Sequence, residues 1–310
     1  MSTAGYAGGT PAPWSPERAS RAEFSYAWCH ELRRELVGVG TGGALHPALH
    51  AAYRLLRHDN NRAVRRLVGG YTVVGTGQRL DGLTQPLRDI FYPYHRVIST
   101  GGSRTGGSAR GTQADHEVAR LVNDGQMPAG GALHPYAERM LRFLHRHGLQ
   151  PCAAQFLIYD LSLGIATEVD VVCVDLSAPY RDGRPNVVIV ECKTGFDKNY
   201  EAVSGRFCSP FVKDSGLTAI KMSYRTAHQL QALAQFVMLR VNYGPLVLRA
   251  VVLVLSATEN SLYRVCPELE AVKFDVYSNL HQRVASTPEE VQRLGAAAAA
   301  RAARMRSFFT

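Results

Sequence analysis

The sequence predicts an α/β protein: a mixed central sheet flanked by helices and preceded by an N-terminal helical region. Three observations carry that prediction. Four apolar, β-branched runs read as buried strands, "CAAQFLIYDLS", "IATEVDVVCVDLS", "NVVIVECKT" and "LVLRAVVLVLSA". Two stretches with helical spacing bracket them, "HPYAERMLRFLHRHG" before the first and "LTAIKMSYRTAHQLQALAQFVMLRV" between the third and fourth. The order helix, three antiparallel strands, helix, strand is an α/β alternation without internal repeat.

Taken in order, residues 1–20 are rich in Gly, Pro, Ser and Ala and read as a flexible tail. Residues 21–98 form the helical region, with "RAEFSYAWCHELRRELV" and "HPALHAAYRLLRHDNNRAVRRLV" as its helices. Arg54, Arg57, Arg62, Arg65 and Arg66 read either as a phosphate-facing stripe or as a solvated face. Residues 99–110, within "STGGSRTGGSARG", form a Gly/Ser-rich loop. The core spans 111–285 and opens with the helix "TQADHEVARLVNDG", for which Thr112 is a plausible N-cap. Gly148 closes the next helix, "APYRDGRP" turns the second strand into the third, and the stretch from Gly195 to Gly216 is a long loop. "VKFDVYS" reads as an edge strand. Residues 286–310 form a C-terminal helix with acids first and arginines last, as the helix dipole favours.

A chain of 310 residues, 46% hydrophobic and 20% charged, can bury a sizeable core. It has no uninterrupted apolar run of about 18 residues, so no membrane partner is expected. The formal charge of +9 points to a polyanion, although an Ala-, Gly- and Arg-rich composition accounts for it equally well. Only five of the 35 basic residues are lysine, and arginine suits bidentate phosphate contacts. The six cysteines form no C-x-x-C pair, which argues against a zinc ribbon or an iron–sulfur cluster and for buried thiols in a reducing compartment. No apolar signal core lies in residues 1–21, so an intracellular protein is expected, nuclear and mitochondrial locations both remaining open.

The chemistry concentrates on two strands. Glu191 and Lys193, two positions apart, share a strand face, with Cys192 opposite. Asp170 lies in the preceding strand, whose turn returns the chain beside Glu191. Leaving such charges unpaired inside an apolar run costs several kcal/mol each, on the order of magnitude of ion desolvation. Two carboxylates and one ammonium converging there suit a divalent cation, Mg²⁺ or Mn²⁺, with the lysine orienting or deprotonating an attacking water. The bland alternative is a surface Glu–Lys cross-strand pair. An acid-x-Lys triplet alone is a weak signal; its place after an apolar strand and an upstream aspartate strengthens it.

"EVDVVCVD" followed by "VVIVECKTG" resembles the PD-(D/E)xK nuclease superfamily, in particular its RecB-like branch, which includes the mitochondrial genome maintenance exonuclease. "GTQADH" resembles that branch's glycine-to-histidine helix motif, and "AHQLQALAQF" its glutamine helix. The resemblance covers residues 108–256 and implies a restriction-endonuclease-like core, a metal-dependent deoxyribonuclease and DNA as partner. It implies Asp170 and Glu191 as metal ligands with the Cys192 carbonyl, and His116 on the metal or the scissile phosphate. It also implies Lys193 as the catalytic lysine and Gln229, ahead of Gln231, as the residue positioning nucleic acid or the lysine.

Three positions depart from the pattern. Gln155 stands where an acid is often found, Thr167 where a glycine precedes the aspartate, and Phe236 loosely replaces the aromatic a turn after the glutamine. Glu168 shares Asp170's face and Glu138 is a further candidate carboxylate, while Arg139, Arg142 and Arg146 read as solvent-facing. A herpesvirus nuclear-protein family carries a similar Asp…Glu-x-Lys signature and a similar "HQL" helix. A nucleic-acid-binding or regulatory protein with little cleavage activity is therefore the alternative, and a structural virion protein has only the basic charge in its favour.

Overall fold

The computed structural model describes residues 15–39, 45–46, 49–57, 63–68, 70–91, 104–177, 187–194, 200–201, 205–206, 220–243, 247–255 and 260–282. The expected C-terminal helix, the first 14 residues and the turn "APYRDGRP" lie outside them.

Folding begins inside the expected tail. Ser15 caps helix α1 (Pro16–Arg21) by accepting from the Arg18 N–H at 3.2 Å, and Pro16 sits where a missing N–H costs nothing. Ser25 likewise caps α2 (Tyr26–Gly38), which buries Trp28, Cys29, Leu32 and Leu36. After α3 (His50–Arg57) the expected helix over "AVRRLV" gives way to strand β1 (Val64–Leu67). It opens an antiparallel meander with β2 (Gly70–Val73) and β3 (Arg79–Gly82). Glycines decide this: Gly75 and Gly77 hold φ of +92° and +71° in the β2–β3 turn, conformations that L side chains resist. The arginine stripe is thereby broken up. Arg54 and Arg57 stay on α3, Arg65 and Arg66 move to β1, and Arg62 lies outside the described residues.

Helix α4 (Thr84–Phe91) follows, then α5 (Arg104–Asp124), which starts inside the segment expected to be a Gly/Ser loop. Helix α6 (Pro135–Arg146) ends as expected at Gly148, at φ +64°. The three strands foreseen are β4 (Leu149–Asp160), β5 (Ile165–Asp175) and β6 (Val187–Thr194), antiparallel in sequence. A small pair, β7 (Gly205–Arg206) and β8 (Lys221–Met222), precedes α7 (Tyr224–Tyr243). Ser223 and Thr226 cap α7 reciprocally: each side-chain oxygen accepts the other's N–H, at 2.7 and 3.1 Å. Strands β9 (Val247–Leu255) and β10 (Asn260–Arg264) lead to α8 (Pro267–Ala271) and α9 (Lys273–Gln282). The expected edge strand "VKFDVYS" is thus helical. Its buried Val276 and Tyr277 recur at helical spacing with Leu280 just beyond it, and β10 takes the edge instead.

The result is an α/β fold with a mixed eight-stranded sheet in the order β1-β2-β3-β5-β6-β9-β10. Strand β4 runs along one edge of β5, and the other edge is shared. Strand β3 pairs with it in parallel at Ile165–Ala166 and β6 pairs antiparallel at Val171–Val174, leaving 167–170 between them. One core joins the sheet to α3, α4, α7 and α9; a second joins it to α5 and α6. A small third core ties the meander to β4 and β5 through Val64, Leu80, Leu157 and Ala166. No helix of the described residues is long and apolar enough to cross a membrane. Four of the five described cysteines are buried free thiols, and Cys266 is half-buried.

Candidate active site

The gap in β5's edge is where charge collects. The β5–β6 ladder runs from Val174 opposite Val187 to Val171 opposite Val190 and stops. At the next step Asp170 replaces backbone with side chain, its carboxylate accepting the Cys192 N–H at 2.6 Å. Strand β6 continues beside β9, from Glu191 opposite Val252 to Thr194 opposite Leu255. The two strands part there, and Glu191 and Lys193 emerge between them as an ion pair. Cys192 turns the other way and packs its sulfur 3.6 Å from that of Met140 on α6.

Helix α7 holds Glu191. Gln231 donates to its Oε1 at 2.6 Å and Gln235 to its Oε2 at 2.9 Å. Gln235 also donates to the Glu168 carbonyl, while its own Oε1 is buried without a hydrogen-bond partner. Gln229, the glutamine favoured on sequence grounds, points elsewhere. It is fully buried, donating to the Arg264 carbonyl at 2.9 Å and accepting from the Cys266 N–H. Positions two apart on a helix differ by about 200° of rotation, so only one of Gln229 and Gln231 faces the sheet's gap. The helical spacing of Gln231 and Gln235 is the signal that identifies the inward pair. Phe236, the expected aromatic stand-in, is a core residue.

Helix α5 supplies a carboxylate that sequence reasoning missed, Asp115. It stands close enough to Lys193, Glu191 and His116 to feel their charges. Gly111, one turn earlier, lets α5 approach the end of β6: a Cβ there would lie 3.0 Å from the Thr194 hydroxyl oxygen. His116 is exposed on the same helix and acts electrostatically on Asp115 and Glu168. Opposite Asp170 in the β4–β5 register the regular pairing skips Gln155, whose φ of +47° is left-handed. Asn123 of α5 satisfies the neighbouring Ala154 N–H and carbonyl, at 3.1 and 2.9 Å. Thr167, where a glycine was expected, is buried.

The electrostatics are those of crowded like charges. Burial, then the Glu191 charge, pushes the Asp170 carboxyl well above its ordinary range, against the opposing pull of Lys193 and the Cys192 N–H. Burial pushes Asp115 up to about 6, with Lys193 opposing and Glu191 adding to the shift. Burial works against the Lys193 ammonium, yet Glu191 and then Asp170 outweigh it and hold the group protonated. His228 on α7, within reach of the Lys193 charge, is kept neutral by burial first and by that charge second.

Other candidates are outside this cluster. Glu138 pairs with Arg142 along α6 at 2.9 Å, and Arg142 lies over the Phe24 ring. Arg139 lies by Tyr136, and Arg146 reaches the Arg142 carbonyl. Glu168 sits at the rim, ion-paired with Arg66 of the meander. Tyr71 is also at this wall, its hydroxyl pushed up to about 12 by burial and then by Glu168, with smaller contributions from Asp170 and Glu191.

Oxygen donors with unneutralised negative charge are the donor chemistry of Mg²⁺ or Mn²⁺. Among the described residues no three His, Cys, Asp or Glu side chains close a metal cage by themselves. Mg²⁺ characteristically takes one or two carboxylates and keeps several waters, so the pair Asp170 and Glu191 fits it. No family model, curated protein or solved structure matches the chain.

Proposed function

We propose that the chain is a metal-dependent nuclease of the PD-(D/E)xK type, with a restriction-endonuclease-like core, that hydrolyses DNA phosphodiesters as an exonuclease or end-processing enzyme. The observation that supports this reading is the convergence of Asp170, Glu191 and Lys193 where β5 and β6 part.

Asp170 and Glu191, with the Cys192 carbonyl, would hold Mg²⁺ or Mn²⁺. Bound there, the cation supplies charge neutralisation on the scissile phosphate and lowers the pKa of the attacking water. The protein's own groups do the rest. Gln231 and Gln235 fix the Glu191 carboxylate at both oxygens, as outer hydrogen bonds orient a ligand. Lys193 orients the water and stabilises charge developing on the phosphate. Glu191 and Asp170 are the charges that hold the Lys193 ammonium protonated, so a cation shared by these carboxylates would loosen that hold and favour the lysine as a base. His116, exposed on α5 and acting on Asp115 and Glu168, would meet the metal or the scissile phosphate.

A second reading keeps the fold and the nucleic-acid partner without vigorous cleavage. It draws on the Lys193–Glu191 ion pair, which in this arrangement engages the lysine with a ligand. One assay separates the two: wild type, Asp170→Ala and Lys193→Ala on end-labelled linear and circular DNA, single- and double-stranded, with Mg²⁺ or Mn²⁺. The nuclease reading expects cleavage of linear DNA by wild type alone. DNA binding without cleavage by any of the three favours the second reading, and cutting of circles removes the restriction to ends.

A further inference from the structure

We infer that the β1–β3 meander is a substrate-gripping arm of the site, in which Arg66 takes a backbone phosphate of the nucleic acid after leaving Glu168; this rests on the nucleic-acid reading above. Arg66 and Tyr71 face each other across β1 and β2, so their side chains stand on one face. That face is anchored: Val64 and Leu80 pack with Leu157 and Ala166, with Tyr71, Val73 and Tyr159 around them. The anchor sets Tyr71 near Glu168, Asp170 and Glu191. Arg66 therefore stands on the wall of the carboxylate cluster, while its neighbour Arg65 points to the opposite side of the strand.

Charge gives this placement its meaning. Asp115, Asp170 and Glu191 crowd around the Lys193 ammonium, with Glu168 at the rim, an arrangement that repels a phosphate until cations stand there. Arg66 is such a cation. Its pairing with Glu168 leaves its side chain 55% exposed, and a pair that open to solvent contributes little to folding. A guanidinium fork matches a phosphodiester in the same bidentate geometry it offers a carboxylate, so phosphate can replace Glu168 without moving the strand.

The test measures binding rather than cleavage. A labelled DNA duplex with a single-stranded overhang is titrated with protein in Ca²⁺, by fluorescence anisotropy, from about 50 to about 200 mM salt. Wild type, Arg66→Ala, Arg66→Lys, Arg65→Ala and Glu168→Gln are compared, with thermal unfolding confirming that each is folded. Loss of one phosphate contact lowers the slope of log K against log salt by about 0.7 to 0.9. That drop is expected for Arg66→Ala and not for Arg65→Ala. Arg66→Lys should restore the slope without the full affinity, and Glu168→Gln should bind more tightly than wild type. Equal slopes for Arg65→Ala and Arg66→Ala, or an unchanged slope in Arg66→Ala, overturn the inference while leaving the nuclease reading intact. Wild type that binds no DNA overturns both.

Discussion

Three aspartates of one hairpin sit in or near the core of the sheet, and they are bound in opposite ways. Asp160, at the end of β4, accepts from the Ser162 N–H and hydroxyl, the Leu163 N–H and the Tyr277 hydroxyl. Asp175, at the end of β5, accepts from Ser177 at 2.9 and 2.6 Å and pairs with Arg249 at 2.6 Å. Each is a buried acid whose charge is satisfied, as stability requires. Asp170, midway along β5, takes one backbone N–H and faces Glu191 and Asp115 across a gap in the sheet. The same residue type therefore staples turns at the strand ends and, at the gap, is crowded by other acids that push its carboxyl above the ordinary range. Crowded buried acids of this kind are what a candidate functional site presents.

Replacement of each aspartate gives the largest contrast. Asp170→Asn should lower DNA cleavage about a thousandfold or more, the scale of losing a key electrostatic group. Its melting temperature should hold or rise, because like-charge repulsion is relieved. Asp160→Ala and Asp175→Ala should do the reverse. Each should cost about 2–4 kcal/mol in urea unfolding, because Tyr277 or Arg249 loses its partner, while cleavage per folded molecule survives.

The glutamines of α7 repeat the contrast at smaller scale. Gln231→Ala should reduce cleavage by about ten- to a hundredfold, as loss of a residue orienting a ligand does, with little change in unfolding. Gln229→Ala should instead cost about 1–3 kcal/mol of stability, leaving the Arg264 carbonyl and Cys266 N–H without their partner, and keep the specific activity.

A pH series sharpens the electrostatic half of the comparison. Burial raises Asp115 from 3.8 to about 6, so between those values the folded state binds more protons than the unfolded one. Stability from this group is present below its unfolded pKa and falls as pH rises through about 6. Urea midpoints of Asp115→Asn should therefore be flatter than wild type between about pH 4 and 6. Mg²⁺ should raise the wild-type midpoint at neutral pH by binding the folded state.

The strand pair carrying Asp170, Glu191 and Lys193 was legible because period-two alternation and an apolar run leave few places for three charges. Legibility stopped where tertiary placement decides. A helix offers several glutamines, and only its rotation against β6 selects Gln231 and Gln235 over Gln229. Asp115 lay one position from His116, but its role depends on Gly111 letting α5 close on Thr194. The meander was hidden because β1 carries consecutive arginines on a short strand that resembles a helix end. The "VKFDVYS" segment misled by β-branched content, since contact of Tyr277 with Asp160 outweighs local propensity.

The smallest effect is expected outside the site altogether. Glu138→Gln on α6 breaks only an exposed pair with Arg142, so unfolding should change by less than about 0.5 kcal/mol and cleavage not at all. A large loss of cleavage there would draw α6 into the catalytic cluster.

The central claim is that Asp170 and Glu191 form a cation site where β5 and β6 part, and Mn²⁺ binding tests it most directly. Mn²⁺ titrated into wild type and Asp170→Asn, with free ion followed by electron paramagnetic resonance, should show a saturable site in wild type that Asp170→Asn lacks. Identical titrations for the two proteins would contradict it.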